Sequence, residues 1–508
     1  GTMPYFGRLM NANERPRLLQ AMAWVDTAEL AVDGPAARGI GAGVDVARSP
    51  VDGRLYPNKP PGATLPAVVA YAGLRSVAAL GGPTPTLRGL TMLARVLGGL
   101  VPTLLLLLLL ARRLRARGAG PTGDGAVLLL ALATPLSSYA HLLFGHSLAA
   151  CLLLAGMLWL LDGTDPAEAS PTRSWRRALG GGVLAASAIT VEYLAVFAGI
   201  PLAVLLGLRW RQGTPRPVLV AAVAGALLSV AALAGYHAVV FGSPWATGYH
   251  HVVDAGFAQT HGRGLLGLGI PSASSLFEHL LSPWGGLLVW APLVALALVF
   301  SLVRWHALDL EERLASSTLL LLLLVTLGLA QTGGWRVGPR YLVLAMPLAG
   351  YGLVGLLRAA AGRAVVGALV LGVALESAVL NALAASLFPH LIPHGNPWAD
   401  LLLPLAAEGR MGYALLPGVV ARFTMLALPL GLLGWALWRV LASSSGPRSR
   451  TRAAVFAAGS LLGVGLLVAG LTPPEHPEAD ADLRAVRSIW EPEGPRPAPR
   501  TELLPLPE

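Results

Sequence analysis

Apolar stretches near ~20 residues, the length a helix needs to cross the hydrocarbon core of a bilayer, recur from residue 88 to residue 471 with short polar breaks between them. Hydropathy places twelve spans, at 88–111, 124–140, 144–162, 178–190, 192–208, 217–240, 285–303, 314–331, 341–358, 364–385, 417–438 and 453–471. Every second connector is arginine-rich: ARRLRAR (111–117), TRSWRR (172–177), RWRQGTPR (209–216), RWHALDLEER (304–313), RAAAGR (358–363) and WRVLASSSGPRSRTR (438–452). Basic short loops stay cytoplasmic, so the spans cross in pairs and the longer loops face outward. The pattern predicts an all-α polytopic membrane protein, a bundle of about 12 transmembrane helices. It has an external first segment (1–61), the bundle (62–471) with external loops 241–284, 332–340 and 386–416, and an external Pro-rich tail (472–508) read as disordered.

Two segments need separate treatment. Residues 63–80 are long enough to cross but contain Arg75, and a crossing there would force ARRLRAR outside; the run reads as an interfacial or re-entrant helix. RLLQAMAWV, with Leu18, Met22 and Val25 at helical spacing, is a second candidate for lying along the surface. The pair 178–190 and 192–208 is short and interrupted by glycine, as in a broken hairpin.

Composition agrees with the pattern. The chain of 508 residues is 55% hydrophobic and 13% charged, where a soluble protein carries roughly a quarter charged residues. The formal charge of +10 comes from arginines at the ends of apolar runs, not from a basic stripe with interleaved aromatics, so nucleic acid is excluded as a partner. Cys151 is the only cysteine, which rules out a disulfide framework and a cysteine metal cluster. No signal peptide opens the chain. All but one of the 37 basic Lys and Arg side chains are arginines; the exception, Lys59, sits in YPNKPPG (56–62). A compact ammonium does things that a planar guanidinium cannot.

The polar residues gather in the segments assigned outside. Glu14 and Lys59 fall close to the membrane face, where a carboxylate can have a raised pKa and serve as a base and an ammonium can bind a phosphate. Asp26, Asp33 and Asp45 are the other acids of the first segment in reach of that role. Arg336 and Arg340 flank a Gly-Pro turn in GGWRVGPRY, which suits an anionic group or a pair of snorkelling anchors. His141, His146, His250, His251 and Asp254 could bind a divalent metal, although their spacing matches no compact motif. Glu192 sits beside the hairpin break, at membrane depth. No P-loop, dinucleotide fingerprint, nucleophile elbow or HExxH occurs, so a nucleotide donor is not indicated.

NANERPRLLQAMAWVD followed by DGRLYPNKPPG and an apolar stretch ending in ARRL resembles the first part of the GT-C glycosyltransferases, the protein O-mannosyltransferases and the lipid A aminoarabinose transferase among them. FGSP…TGY and GGW…GPRY resemble a bacterial branch of that superfamily. The resemblance implies a GT-C-like bundle, a polyprenyl-phosphate sugar donor, and a lipid, glycan or protein acceptor at the outer face of the plasma membrane. It requires no cofactor, and a divalent metal is possible. Carried over, Lys59-Pro60-Pro61 matches the family's Lys-Pro-Pro, and Asn13-Glu14 falls where an Asp-Glu pair is expected. Asn13 departs from the pattern, so Glu14 becomes the expected base, with Asp45 beside it in the catalytic set. Lys59, Arg336 and Arg340 are the expected phosphate ligands. Tyr56, Asn58, His146, Tyr249, His250, Trp335 and Tyr341 are the expected substrate contacts, His146 standing near a second family acid. The resemblance also implies a further helix ahead of NANE, making 13 crossings. Against this stand a transporter or flippase of a lipid-linked or anionic substrate, and a non-catalytic envelope scaffold.

Overall fold

The structure, a computed structural model, describes residues 3–7, 9, 11–168, 170–261, 267–330, 333–412, 418–443, 449–471 and 476–490. Expectations that fall on Thr332 or on tail residues 491–508 lie outside the described residues. The chain folds into helices α1 (Arg15–Thr27), α2 (Leu65–Ala79), α3 (Leu87–Ala116), α4 (Gly120–Leu132) and α5 (His146–Gly163). Next come α6 (Pro171–Val191), α7 (Tyr193–Arg211), α8 (Arg216–Phe241), α9 (Pro292–Val303) and α10 (Leu310–Leu327). The last five are α11 (Ala349–Gly362), α12 (Ala364–Ser386), α13 (Val419–Val440), α14 (Arg450–Gly470) and α15 (Ala479–Ile489). A two-stranded antiparallel hairpin, β1 (Val46–Arg48) and β2 (Leu55–Pro57), lies between α1 and α2.

Each span read from the sequence overlaps one of the helices α3–α14. Among the described residues, seven (α3, α5, α7, α8, α12, α13 and α14) are long and apolar enough to cross a membrane on length and composition alone. The rest are shorter or begin with charge, so the structure supports an all-α membrane protein without fixing the crossings at twelve.

Glycine acts here as a packing device. A Cβ on Gly182 would lie 2.0 Å from the Ala222 carbonyl oxygen, and one on Gly225 2.1 Å from that of Leu179. The α6–α8 contact therefore brings backbone against backbone, the small-residue mode of helix association in lipid. Gly156 of α5 meets Ala185 of α6 in the same way, at 2.3 Å. The glycines of span 178–190, which suggest an interrupted helix in the sequence, lie inside α6, which runs unbroken for 21 residues. The break comes at Glu192, whose extended backbone (φ −146, ψ 114) separates α6 from α7.

Helix α2 is amphipathic in a membrane sense. Ala67, Ala70 and Tyr71 are buried, while Leu65, Val69 and Val77 are exposed. Arg75, the residue that argued against a crossing, lies with Nε 3.3 Å from Asp26 Oδ1. Tyr71 donates to the same carboxylate at 3.0 Å.

Two expectations are corrected. Helix α1 is not a surface helix, because Arg15 through Ala23 are all buried. Glu14, Arg17 and Gln20, three residues apart, form a polar stripe that bonds to three other segments. The tail is also not wholly disordered: α15 docks through Leu483 and Val486, an i, i+3 apolar pair, against Trp398–Leu402.

The packing predicts that Gly182→Ala lowers stability by about 1–3 kcal/mol, the usual cost of overpacking. Gly207→Ala, inside α7 with nothing within 4 Å, does not lower it and raises it by up to ~1 kcal/mol through helix propensity. Thermal unfolding of the two variants in the same detergent checks the contrast.

Candidate active site

The stretch YPNKPPG is built residue by residue into the site. The hairpin register pairs Val46 with Pro57, so Asp45 and Asn58 emerge side by side at its open end. The Asn58 N–H donates to the Asp45 carbonyl at 3.1 Å. A residue before proline is pushed to extended backbone, and Pro60 continues it (φ −60, ψ 143). Lys59 thus stands on a stiff strut. Pro61 opens a short 3-10 turn, Pro61–Thr64, that leads into α2. Gly62 passes so close to α6 that a Cβ would sit 2.5 Å from the Thr190 carbonyl oxygen. On the other side Val253 N–H donates to Val46 O at 3.1 Å, which fixes the 248–253 segment against the hairpin. Gly248 makes this approach possible, since a Cβ there would lie 2.6 Å from Asn58 Cα. Tyr249 is thereby brought to Lys59: the ammonium donates to its hydroxyl at 3.2 Å and lies 4.7 Å from its ring centre.

The loop 333–341 supplies the opposite wall. Gly338 adopts φ +58, and a Cβ on it would meet Pro135 and Trp290 at 2.8 Å. This turn points Arg340 inward. Its guanidinium donates to Tyr341 Oη at 3.0 Å, and lies 5.9 Å from the Phe144 ring. Burial works to lower the Arg340 pKa, but the Tyr341 and Tyr139 oxygens and Asp45 outweigh it, and the net direction is upward. Arg340 is therefore a permanent cation.

These side chains enclose one cavity of about 350 Å³, lined by Asn13, Asp45, Lys59, Arg340, Tyr341 and His390 among others, with Trp335 half-exposed at its wall. Lys59 is 7% exposed and Arg340 5%. Among the described residues, neither has a carboxylate within 4.0 Å. Asp45 and Glu192 act on these cations only at longer range; two buried cations without an ion-pair contact are costly, and an anionic ligand lowers that cost. Asp45, 6% exposed, is the only carboxylate among the cavity-lining residues.

Other expected residues sit elsewhere. Glu14 is outside this cavity. Both its oxygens accept from Arg95, Oε1 at 2.8 Å and Oε2 at 2.6 Å, and Oε1 also accepts the Leu143 N–H at 2.8 Å. Burial pushes its carboxyl up, but Arg95 and then the other donors prevail, and its pKa is lowered. The sequence expected a raised pKa and a free base; the buried guanidinium reverses both. Arg336 is buried next to the cavity rather than on it. It donates to the Gly333 carbonyl, with Glu278 3.9 Å away. Burial and the Arg340 charge bring its pKa down to about 10.

Tyr56 donates to Asp52 at 2.6 Å and packs on Phe241, as part of the hairpin. Asn58 is wholly buried beside Asp45. His146 lies 3.3 Å from Glu192 behind the cavity wall. His250 caps its own turn through Thr247 at 3.1 Å. The histidines proposed as metal ligands do not converge; the one such group among the described residues is His394, His476 and Asp482.

His390 was missed. It faces the cavity and its Nδ1 accepts from Asn11 Nδ2 at 3.0 Å, and burial brings its pKa down to about 3, so it is neutral. Its neighbours in PHLIPHGN carry no spacing signal. Arg95 was missed as well, being read as part of an apolar run.

No protein-family model and no curated protein matches the chain. Among solved structures it is similar to ArnT from Cupriavidus metallidurans in the apo state, with TM-score 0.46 and 17% identity over 92% of this chain and 73% of that one. The same protein bound to undecaprenyl phosphate gives TM-score 0.44 and 16% identity over 92% and 74%. An Archaeoglobus fulgidus oligosaccharyltransferase gives TM-score 0.37 and 12% identity over 100% and 57%. At these scores, what the cavity of this chain does has to come from its own side chains.

The Glu14–Arg95 pair yields a prediction. Glu14→Gln leaves a buried guanidinium uncompensated and costs about 3–5 kcal/mol. Because the folded pKa is depressed from 4.5, the carboxylate's stabilisation is complete above pH 4.5 and is lost as pH falls through the lower folded value. The stability gap between the parent protein and Glu14→Gln therefore narrows below pH 4.5. Denaturant unfolding across that range measures it.

Proposed function

We propose that this protein is a membrane glycosyltransferase that moves a sugar from a polyprenyl-phosphate donor to a nucleophilic acceptor at the outer face of the membrane. The observation that supports this reading best is the pair of buried cations, Lys59 and Arg340, facing the same cavity as a single carboxylate, Asp45. A sugar phosphodiester brings the negative charge that the cations lack. The sugar–phosphate bond then lies between a cation pair and a base, the arrangement that a displacement at the anomeric carbon needs.

In this reading Asp45 takes the proton from the acceptor hydroxyl or amine as that atom bonds to the anomeric carbon. The bond from that carbon to the phosphate oxygen breaks, and the lipid phosphate leaves with its new charge. Lys59 and Arg340 hold that charge. Donors aimed at developing charge in a water-poor site are worth more than in water. Attack opposite the leaving group inverts the sugar configuration. Trp335 and Tyr341 offer aromatic faces for the sugar ring, and Asn13 a neutral amide for its hydroxyls. Glu14 acts through structure, holding Arg95 and the start of α1, and His390 stays neutral at working pH.

The reading is tested with purified protein, radiolabelled polyprenyl-phosphate sugars and extracted envelope acceptors. Asp45→Asn lowers turnover by ~100-fold or more, the scale of general-base loss, with binding of undecaprenyl phosphate retained. Lys59→Arg loses most of the activity and weakens that binding. Counterflow of the labelled lipid without transfer, or full activity in Asp45→Asn, overturns the reading.

A further inference from the structure

The loop after α12 carries a second polar cluster, remote in chemistry from the cavity. His394 Nδ1 and His476 Nε2 are 3.0 Å apart, and Asp482 Oδ2 lies 3.6 Å from His394 Nδ1. One ligand atom from each of the three falls within 4.8 Å of the other two. A tetrahedral site with metal–ligand bonds of about 2.0–2.2 Å has ligand–ligand edges of roughly 3.3–3.6 Å, so these three groups need only small shifts to hold one ion.

The surroundings prepare this group. The other ring nitrogen of His476, Nδ1, is buried without a hydrogen-bond partner and lies 3.7 Å from Asp400 Oδ2. A carboxylate behind the non-ligating nitrogen orients a metal-binding histidine and keeps its proton on that side. Asp400 is itself held by the Asn396 N–H at 2.8 Å, and Asn396 Nδ2 donates to the Gly470 carbonyl at 2.8 Å. Gly395 takes φ +64, and a Cβ there would sit 2.8 Å from both Asp400 Oδ2 and His476 Nδ1. Only glycine admits the loop this close to the two groups.

We propose that His394, His476 and Asp482 bind a divalent transition metal, zinc by donor set, which clips α15 to the loop that bears His390. Two imidazoles and one carboxylate leave a fourth position for water. The clip joins the C-terminal segment, through Asp482, to a loop that forms one wall of the cavity. Continuity is already visible in the aromatic contacts: Trp490 lies 5.2 Å from Phe6, and Phe6 lies 6.1 Å from His390. The ligands touch neither Asp45 nor Lys59, so the proposal stands apart from the sugar-transfer reading and can fail without it.

The full-length protein, stripped with a chelator and returned to zinc sulfate, is expected to bind one zinc per chain by elemental analysis. The His394→Gln/His476→Gln variant loses that equivalent, and Asp482→Asn weakens it by at least tenfold in a competition titration. Hydrogen exchange of 479–489 in the parent protein slows on zinc addition and returns on chelation, a readout that needs no variant. Zinc stoichiometry equal in parent and double variant, or exchange in 479–489 that ignores zinc, overturns the proposal.

Discussion

The Glu14–Arg95 ion pair is the contact on which the polar end of the bundle depends. Both residues are 2% exposed, and Arg95 belongs to a 30-residue apolar helix. Neither charge is tolerable there alone. Paired, they fasten α1 to α3, and the spare hydrogen-bonding capacity of each reaches further. Arg95 also donates to the Pro4 carbonyl, and Glu14 accepts the Leu143 N–H. Arg17, one turn along, donates to the Leu143 carbonyl, and Gln20 bonds Thr64 at 2.8 Å. One polar stripe on a 13-residue helix thus locates the turn before α5 and the start of α2. The cavity lies between those elements and the 333–341 loop.

Charge pairing then separates scaffold from site. Several arginines that serve architecture find carboxylates: Arg113 is 2.6 Å from Glu311 and 2.8 Å from Asp162, and Asp26 is shared by Arg38 and Arg75, while the buried Arg17 is held by the Leu143 carbonyl instead. Lys59 and Arg340 are as deeply buried as any of these, yet they meet only tyrosine hydroxyls and aromatic faces. Such contacts ease a buried cation without neutralising it. Ion pairing solves the burial problem for many of the arginines, and Lys59 and Arg340 differ from the buried Arg17 in that they face the cavity.

What the sequence made legible follows from the range of each interaction. Helices α3–α14 were readable because crossing a bilayer demands a contiguous apolar run. Lys59 was readable because the prolines that stiffen its strut are its immediate neighbours. Glu14 was misjudged because its partner is 81 residues away, inside a run whose hydropathy hides one arginine. Gly181 and Gly182 were misjudged because a glycine that breaks a helix and one that admits a neighbouring backbone look alike in one dimension. Asp45 stood in the expected catalytic set beside Glu14, and what set it apart as the cavity carboxylate is hairpin register, which short strands do not declare in their sequence.

The solitary lysine can now be given a physical reason. Its chain is fixed at Cα by the Pro-Pro strut, and Gly248 closes to van der Waals contact on Asn58 behind it. The ammonium is held over the Tyr249 ring with one donor spent on the hydroxyl, and its remaining donors are free to turn as the anion opposite changes shape. A guanidinium has a fixed planar fork. In the same place it would be longer and would have to place five N–H groups where the ammonium makes one hydrogen bond, to the Tyr249 hydroxyl. Arg340 can be an arginine because Tyr341 and Phe144 present flat surfaces to a flat cation. The cavity therefore uses two kinds of positive charge, one rigid and stacked, the other compact and adjustable, and the compact one occupies the single position in the chain where arginine was not written.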